Sequence, residues 1–443
     1  MKPDITDRQI MAIALPSIVS NVTVPLLGMC DLAIAGHTGD ATLVAAVSVG
    51  ATLFNVLYWL FGFLRMGTGG LTSQAYGRGD DAGTVGIITR SILAGAAMSA
   101  MLLAVHRPLI DFTFAHIIET EPSVERLART YISICIWGIP AMLLQYCFTG
   151  WFIGMQNSRL PMAVSILQNI INIAVSLSCV TIGGMTIDGI AIGTLTAQWS
   201  AVMISAVAWT LRYGNLRRHI REVRLSEIKP MLHFLDLNKD IFLRTLCLVA
   251  VTLFFTSAGA AQGDMTVAAN ALLMQFFTIF SYIMDGLAYA AEALTGKHIG
   301  ARDAASLQTT VRRIFRWTYG VVALFTITYT VAGGALIGLL TSDAALAGYA
   351  MYYHPWVVLI PLAGFQAFVW DGVFIGATAT RAMLLTMAVA TAAFFICYHL
   401  TFPLWGNNGL WMSFIIYLFS RGMLQTALAK RTISKTLDGQ NGR

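Results

Sequence analysis

Long apolar stretches recur along almost the whole chain, separated by short breaks that carry Gly, Pro or charge, and each is close to the roughly 20 residues a bilayer-crossing helix requires. They predict about twelve spans, near 10–36, 44–64, 85–106, 131–154, 160–182, 188–211, 241–261, 267–293, 317–340, 350–376, 382–402 and 409–428. A backbone in lipid satisfies its own hydrogen bonds as a helix or as a closed barrel. The apolar runs here are continuous, whereas barrel strands alternate, so the pattern predicts an all-α polytopic membrane protein.

The pattern also repeats. At an offset of 222 to 223, GWFIGMQNSR (150–159) lies over GVFIGATATR (372–381), and LTSQAYGRGD (71–80) lies over LTGKHIGARD (294–303). Six spans in each half bring both halves into the membrane from the same side, which makes a parallel repeat about an axis along the membrane normal. The expected organisation is an N-lobe at 1–211, a basic cytoplasmic linker at 212–240 and a C-lobe with its tail at 241–443. Two such bundles suit a transporter that exposes a site to each side in turn by a rocking motion.

Composition agrees with this reading. Only 11% of residues are charged and 57% are apolar, against about 25% charged in a soluble chain, so too few charges remain for a water-facing coat. Net charge is +6. With a cytoplasmic N-terminus, Arg107, Arg126 and Arg129 alone among Lys and Arg fall outside, and the linker and tail hold the basic clusters. That is the positive-inside bias of a multi-pass inner-membrane protein with both termini cytoplasmic, and it removes any need for a nucleic-acid partner. The first residues, MKPDITDRQI, are polar and mixed in charge, and the first helix is expected to be retained. Six cysteines stand singly inside apolar spans, which suggests neither a disulfide framework nor a thiolate metal site.

Ionisable residues at bilayer depth cost about 2.5 to 3.5 kcal/mol on insertion scales, so each needs a reason. Asp31 lies in the first span, above Pro16 and Pro25, which favour bending there. Asp285, Tyr289 and Glu292 share one stripe of the eighth span, where two carboxylates are expected to face the bundle interior. Asn270 opens that helix, Asn169 and Asn172 lie on the fifth span, and Gln145, Gln168, Gln198, Gln275 and Gln366 add uncharged polar groups that either join helices or dress a cavity. Asp371 reads as structural as readily as functional, Arg65 as snorkelling to the cytoplasmic interface, and Asp188 as a loop residue. The intramembrane charges are mainly acidic on this reading.

DLAIAGHTGD (31–40), LYWLFGFLRMGTGGLTSQAYGRGD (57–80) and ANALLMQFFTIFSYIMDGLAYAAEALTGKHIGARD (269–303) resemble the multidrug and toxic compound extrusion (MATE) family in its DinF-like branch. The resemblance runs over essentially the whole chain. It implies twelve helices in two lobes, a central cavity, and export of amphipathic, often cationic compounds in exchange for protons or sodium ions. It further implies that Asp31 is the ion-coupling residue, that Pro16 is associated with bending of its helix, and that Asn172 belongs to the same pocket. Many family members place an aspartate four residues beyond that asparagine, where this chain has Ser176. One carboxylate fewer favours a proton over sodium, which wants more oxygen ligands and charge.

The expected activity is therefore antiport of small molecules, with no cofactor, by a monomer in the bilayer. A lipid-linked precursor flippase of the same superfamily is the alternative, disfavoured by the acidic character of the spans. A membrane enzyme has less support: HExxH and GxSxG are absent, and Ala291 stands where a phosphate loop before Gly296 and Lys297 needs glycine.

Overall fold

The computed structural model describes residues 3–37, 41–116, 118, 120–223 and 228–439. Arg224 of the basic linker and Arg443 of the tail lie outside the described residues. Among the described residues there is no strand; α1 (Pro3–His37), α2 (Ala41–Phe61), α3 (Phe63–Arg78), α4 (Asp81–His116), α5 (Pro122–Cys135), α6 (Ile139–Gly154), α7 (Arg159–Thr181) and α8 (Ile187–Arg212) are followed by α9 (Ile228–Ala260), α10 (Asp264–Gly300), α11 (Ala304–Leu340), α12 (Ala344–Gly376), α13 (Thr380–Trp405) and α14 (Asn407–Gly439).

Every predicted span corresponds to one of these helices or to a consecutive pair. The second span is α2 followed by α3, broken at Gly62, and the fourth is α5 and α6 joined by a 3₁₀ turn, Ile136–Gly138. That turn precedes Pro140, which has no N–H to give the preceding turn and crowds an α-helical carbonyl. Several helices outrun their apolar cores: α10 has 37 residues, about 55 Å at 1.5 Å per residue, against a hydrocarbon layer of about 30 Å. Hydropathy registers only the part in lipid, so α9 and α11 begin well before the predicted 241 and 317. Among the described residues eleven segments are long and apolar enough to cross a membrane. α14 is the exception, because Arg421 and Gln425 interrupt its apolar run.

The chain divides into two compact units, Val19–Phe234 and Met1–Ile18 with Leu235–Arg443. The division falls within α1, two residues past Pro16, and within α9. The sequence assigns all of α1 to the first half, and part of its linker, 224–227, lies outside the described residues. The core of the first unit gathers Val85, Ile88, Phe148, Phe152 and Val202 around Trp151, whose indole donates to the Thr84 carbonyl at 2.9 Å. In the second unit Phe255, Phe277 and Trp411 close on Phe414.

The internal repeat is visible as packing. A Cβ on Gly150 would lie 2.2 Å from the Arg65 carbonyl oxygen, and one on Gly372 would lie 2.2 Å from that of Ala288. One turn on, Gly154 meets Gly69 and Thr72, as Gly376 meets Glu292 and Thr295. Each contact partner is displaced by the same 223 residues as the sequence alignment, so α3 on α6 and α10 on α12 are copies of one small-residue seam, the packing that helices in lipid favour. Gln156 and Thr378, and likewise Gly79 and Arg302, sit at matching turns with φ of 62°, 53°, 69° and 56°.

Candidate functional site

Four helices of the first unit converge on Asp31. It is 2% exposed on α1, and it accepts hydrogen bonds from Thr194 Oγ1 on α8 at 2.7 Å, Asn172 Nδ2 on α7 at 3.2 Å and Tyr131 OH on α5 at 3.3 Å. Asn172 Nδ2 also reaches Thr194 Oγ1 at 3.2 Å. Room for the Tyr131 ring comes from Gly50, whose Cβ would lie 2.4 Å from it. All three partners are neutral. An ionised carboxylate removed from water without a counter-charge is expensive, and the missing charge is what a proton or small cation supplies.

A polar stripe on α7 ties this carboxylate to the proline-bearing part of its own helix. Ser165, Asn169, Asn172 and Ser176 follow at helical spacing. Ser165 Oγ pairs with Thr23 Oγ1 at 2.6 Å, and Asn169 Nδ2 donates to the Thr23 carbonyl at 3.0 Å, two residues before Pro25. Pro16 and Pro25 both lie inside α1, half-buried. Ser176 is fully buried, and its hydroxyl donates to the Ile190 carbonyl of α8 at 3.4 Å, away from Asp31.

The residues singled out on α10 do not gather in one place. Asn270 forms a reciprocal amide pair with Asn407, at 2.8 and 2.9 Å, and accepts from Trp411 Nε1 at 2.9 Å, a clip between α10 and α14. Gln275 is exposed. Fifteen residues separate Asn270 from Asp285, about 22 Å along the helix. Asp285 and Tyr289 are half-buried, and Glu292 is 1% exposed beside the Gly376 notch.

A second buried carboxylate carries more of the charge in this unit than the sequence suggests. Asp371 on α12 accepts from Arg244 Nη2 of α9 and Arg421 Nη2 of α14 on one oxygen, and from Gln425 Nε2 at 2.6 Å on the other. The two arginines are 6% and 3% exposed. Asp285 is near enough to act on both electrostatically. The expectation that intramembrane charge is mainly acidic is thereby corrected: Arg244 and Arg421 lie inside predicted spans, drew no reading from the sequence, and are both buried. Arg65 is corrected too, since it is 6% exposed where α3 packs on α6, not at the interface. Asp188 lies in the first turn of α8, where a negative charge meets the helix dipole.

The sequence missed Tyr131 and Thr194. Neither residue type is unusual in an apolar helix, and they stand 100 and 163 residues from Asp31 along the chain.

The sequence matches the protein-family model described as MatE over residues 16–177 and 241–398. It is 35% identical over 427 residues to the DNA damage-inducible protein F of Escherichia coli (strain K12), covering 96% of this chain and 92% of that protein. It is 24% identical over 456 residues to a probable multidrug resistance protein NorM of Xanthomonas campestris pv. campestris, covering 96% and 94%. Among solved structures, a MATE protein crystallised in the bent conformation superposes with a TM-score of 0.85 at 17% identity over 100% of both chains.

Proposed function

This chain belongs to the MATE family of multidrug and toxic compound efflux transporters, and from that premise we propose that it is a proton-driven antiporter of small amphipathic compounds, coupled at Asp31. It is a multi-pass membrane protein by its helices and its relatives. The proposal adds that it works as a single chain in the inner membrane with both termini cytoplasmic.

The observation that carries the reading is the fully buried Asp31 carboxylate held by neutral donors alone. On this reading, donor chemistry favours one oxygen for the proton. Asn172 Nδ2 can only donate, and it takes Oδ1; Thr194 and Tyr131 carry hydroxyls, which can reverse into acceptors, and both face Oδ2. A proton on Oδ2 therefore keeps its bonds by turning one hydroxyl into an acceptor while the other goes on donating, and the charge that would hold a basic centre of the cargo disappears. For exchange to be obligatory, proton and cargo must differ in their preference between conformations, because a ligand that binds both equally shifts nothing. The Ser165 and Asn169 contacts at Thr23 give α1 a partner that feels such a change near Pro25.

In proteoliposomes with an imposed pH gradient, Asp31→Asn is expected to abolish driven efflux of a fluorescent amphipathic cation such as ethidium, with the variant still folded. Unchanged efflux would remove Asp31 from the mechanism, and efflux driven by a sodium gradient at equal pH would replace the proton.

A further inference from the structure

Arg244 and Arg421 converge on a single oxygen of Asp371 from different helices. An arginine cannot shed its proton in a protein, and each guanidinium offers five N–H donors. One carboxylate meets two of those donors and balances one of the two charges. The Nε atoms of both arginines are buried and lack an acceptor. Asp285 on α10, half-buried, acts on the pair only weakly beside Asp371. Apolar surface adjoins the cluster: the Phe368 ring lies under Arg421, with the guanidinium carbon 6.0 Å from its centroid, and Phe277 and Phe280 pack against Phe368.

We infer that Arg244 and Arg421 form an acceptor for the anionic group of an amphipathic ligand, a carboxylate, sulfonate or phosphate on an apolar body, with Asp371 as the internal group that the ligand displaces or joins. The inference deepens the export reading and rests on it for the ligand's role as cargo. Two or three oxygens of such an anion match the unfilled guanidinium donors, since planar nitrogen forks pair with carboxylate and phosphate geometry. The aromatic rings receive the apolar part. The two charged centres then differ in sign between the units: Asp31 alone in one, and two arginines against the single Asp371 in the other.

The sign of Asp371's effect separates this site from a structural ion pair. The full chain in phosphatidylcholine nanodiscs is titrated at equilibrium with 11-(dansylamino)undecanoate, a carboxylate, and with its uncharged alcohol, reading energy transfer from tryptophan. Arg244→Gln and Arg421→Gln should each weaken carboxylate binding at least tenfold, and Asp371→Asn, which removes the internal competitor, should tighten it severalfold, with the alcohol unaffected throughout. Arg421→Lys keeps the charge without the fork and should lose less than Arg421→Gln, which preserves the test if the glutamine variant folds poorly. Competition by added phosphatidylglycerol identifies a lipid headgroup as the source of the anion, and competition by a soluble alkyl carboxylate identifies free cargo. Equal carboxylate affinity across the variants, or weaker binding in Asp371→Asn, overturns the site. Because binding needs no gradient, its failure is seen separately from failure of Asp31-driven transport.

Discussion

Asp31, in the unit Val19–Phe234, is buried among an amide and two hydroxyls, whereas Asp371, in the other unit, is buried between two guanidiniums and an amide. Both are carboxylates shielded from water on long helices, and their chemistry is opposite. Neutral donors tolerate a change in the carboxylate's charge, because hydroxyls can turn. Fixed cations do not: the two guanidiniums would be left without their carboxylate partner, which makes its loss costly to the fold. The frame is duplicated, but the charges are not. Thr149 stands one residue before the aligned stretch at the position of Asp371, and it accepts from Gln145 at 3.4 Å.

The largest test of that contrast is thermodynamic. Asp371→Asn, in detergent without added anion, should lower unfolding free energy by about 3–5 kcal/mol, because removing one partner leaves buried charge uncompensated. Asp31→Asn, which puts a neutral amide among neutral groups, should change it by no more than about 1 kcal/mol. Denaturant titrations on both variants decide the matter, and equal losses would mean that the two carboxylates do the same work. Next come the shared joints. Gly154→Ala and Gly376→Ala place a Cβ 2.8 and 2.4 Å from the carbonyl oxygens of Gly69 and Glu292, and each should cost about 1–3 kcal/mol. A loss in only one would show that the two seams are not equivalent. The smallest effect belongs to Asp303, outside the spans, which accepts from the Ser306 backbone N–H at 2.9 Å as the N-cap of α11. Those bonds to Ser306 hold its carboxyl below the usual range. Asp303→Ala should cost about 1 kcal/mol at neutral pH. A carboxyl lowered in the folded state stabilises above its unfolded value and loses that contribution as pH falls through the folded one, so variant and parent should converge in acid.

The number and type of the helices were legible because lipid demands apolar length, and that signal survives without any knowledge of neighbours. Their ends were not, since polar turns of α9, α10 and α11 continue past the apolar core. The breaks at Gly62 and before Pro140 fall inside apolar runs, where hydropathy is blind. Within the site, Asp31 and Asn172 stood out because a polar residue in lipid is rare, and the structure brings them within a hydrogen bond of each other. Thr194 and Tyr131 are ordinary in such helices, and only tertiary proximity gives them a role. Asn270 stood out for the same reason as Asn172 and proved to be an interhelical clip, so rarity marks a partnered group without saying with what it is partnered. Arg244 and Arg421 sit in apolar runs near the ends of their predicted spans, where nothing in the sequence tells a cation that turns inward to a carboxylate from one that reaches water.

The glycine notches at 150, 154, 372 and 376 separate two kinds of change that the chain can undergo. A position where a Cβ would meet backbone resists substitution by a steric rule that is indifferent to charge. The side chains dressing each half obey no such rule, and either half can acquire, lose or invert a charged group while its seam keeps its shape. Architecture in this molecule is therefore conservative by contact distance, and chemical preference is free to drift, one half at a time.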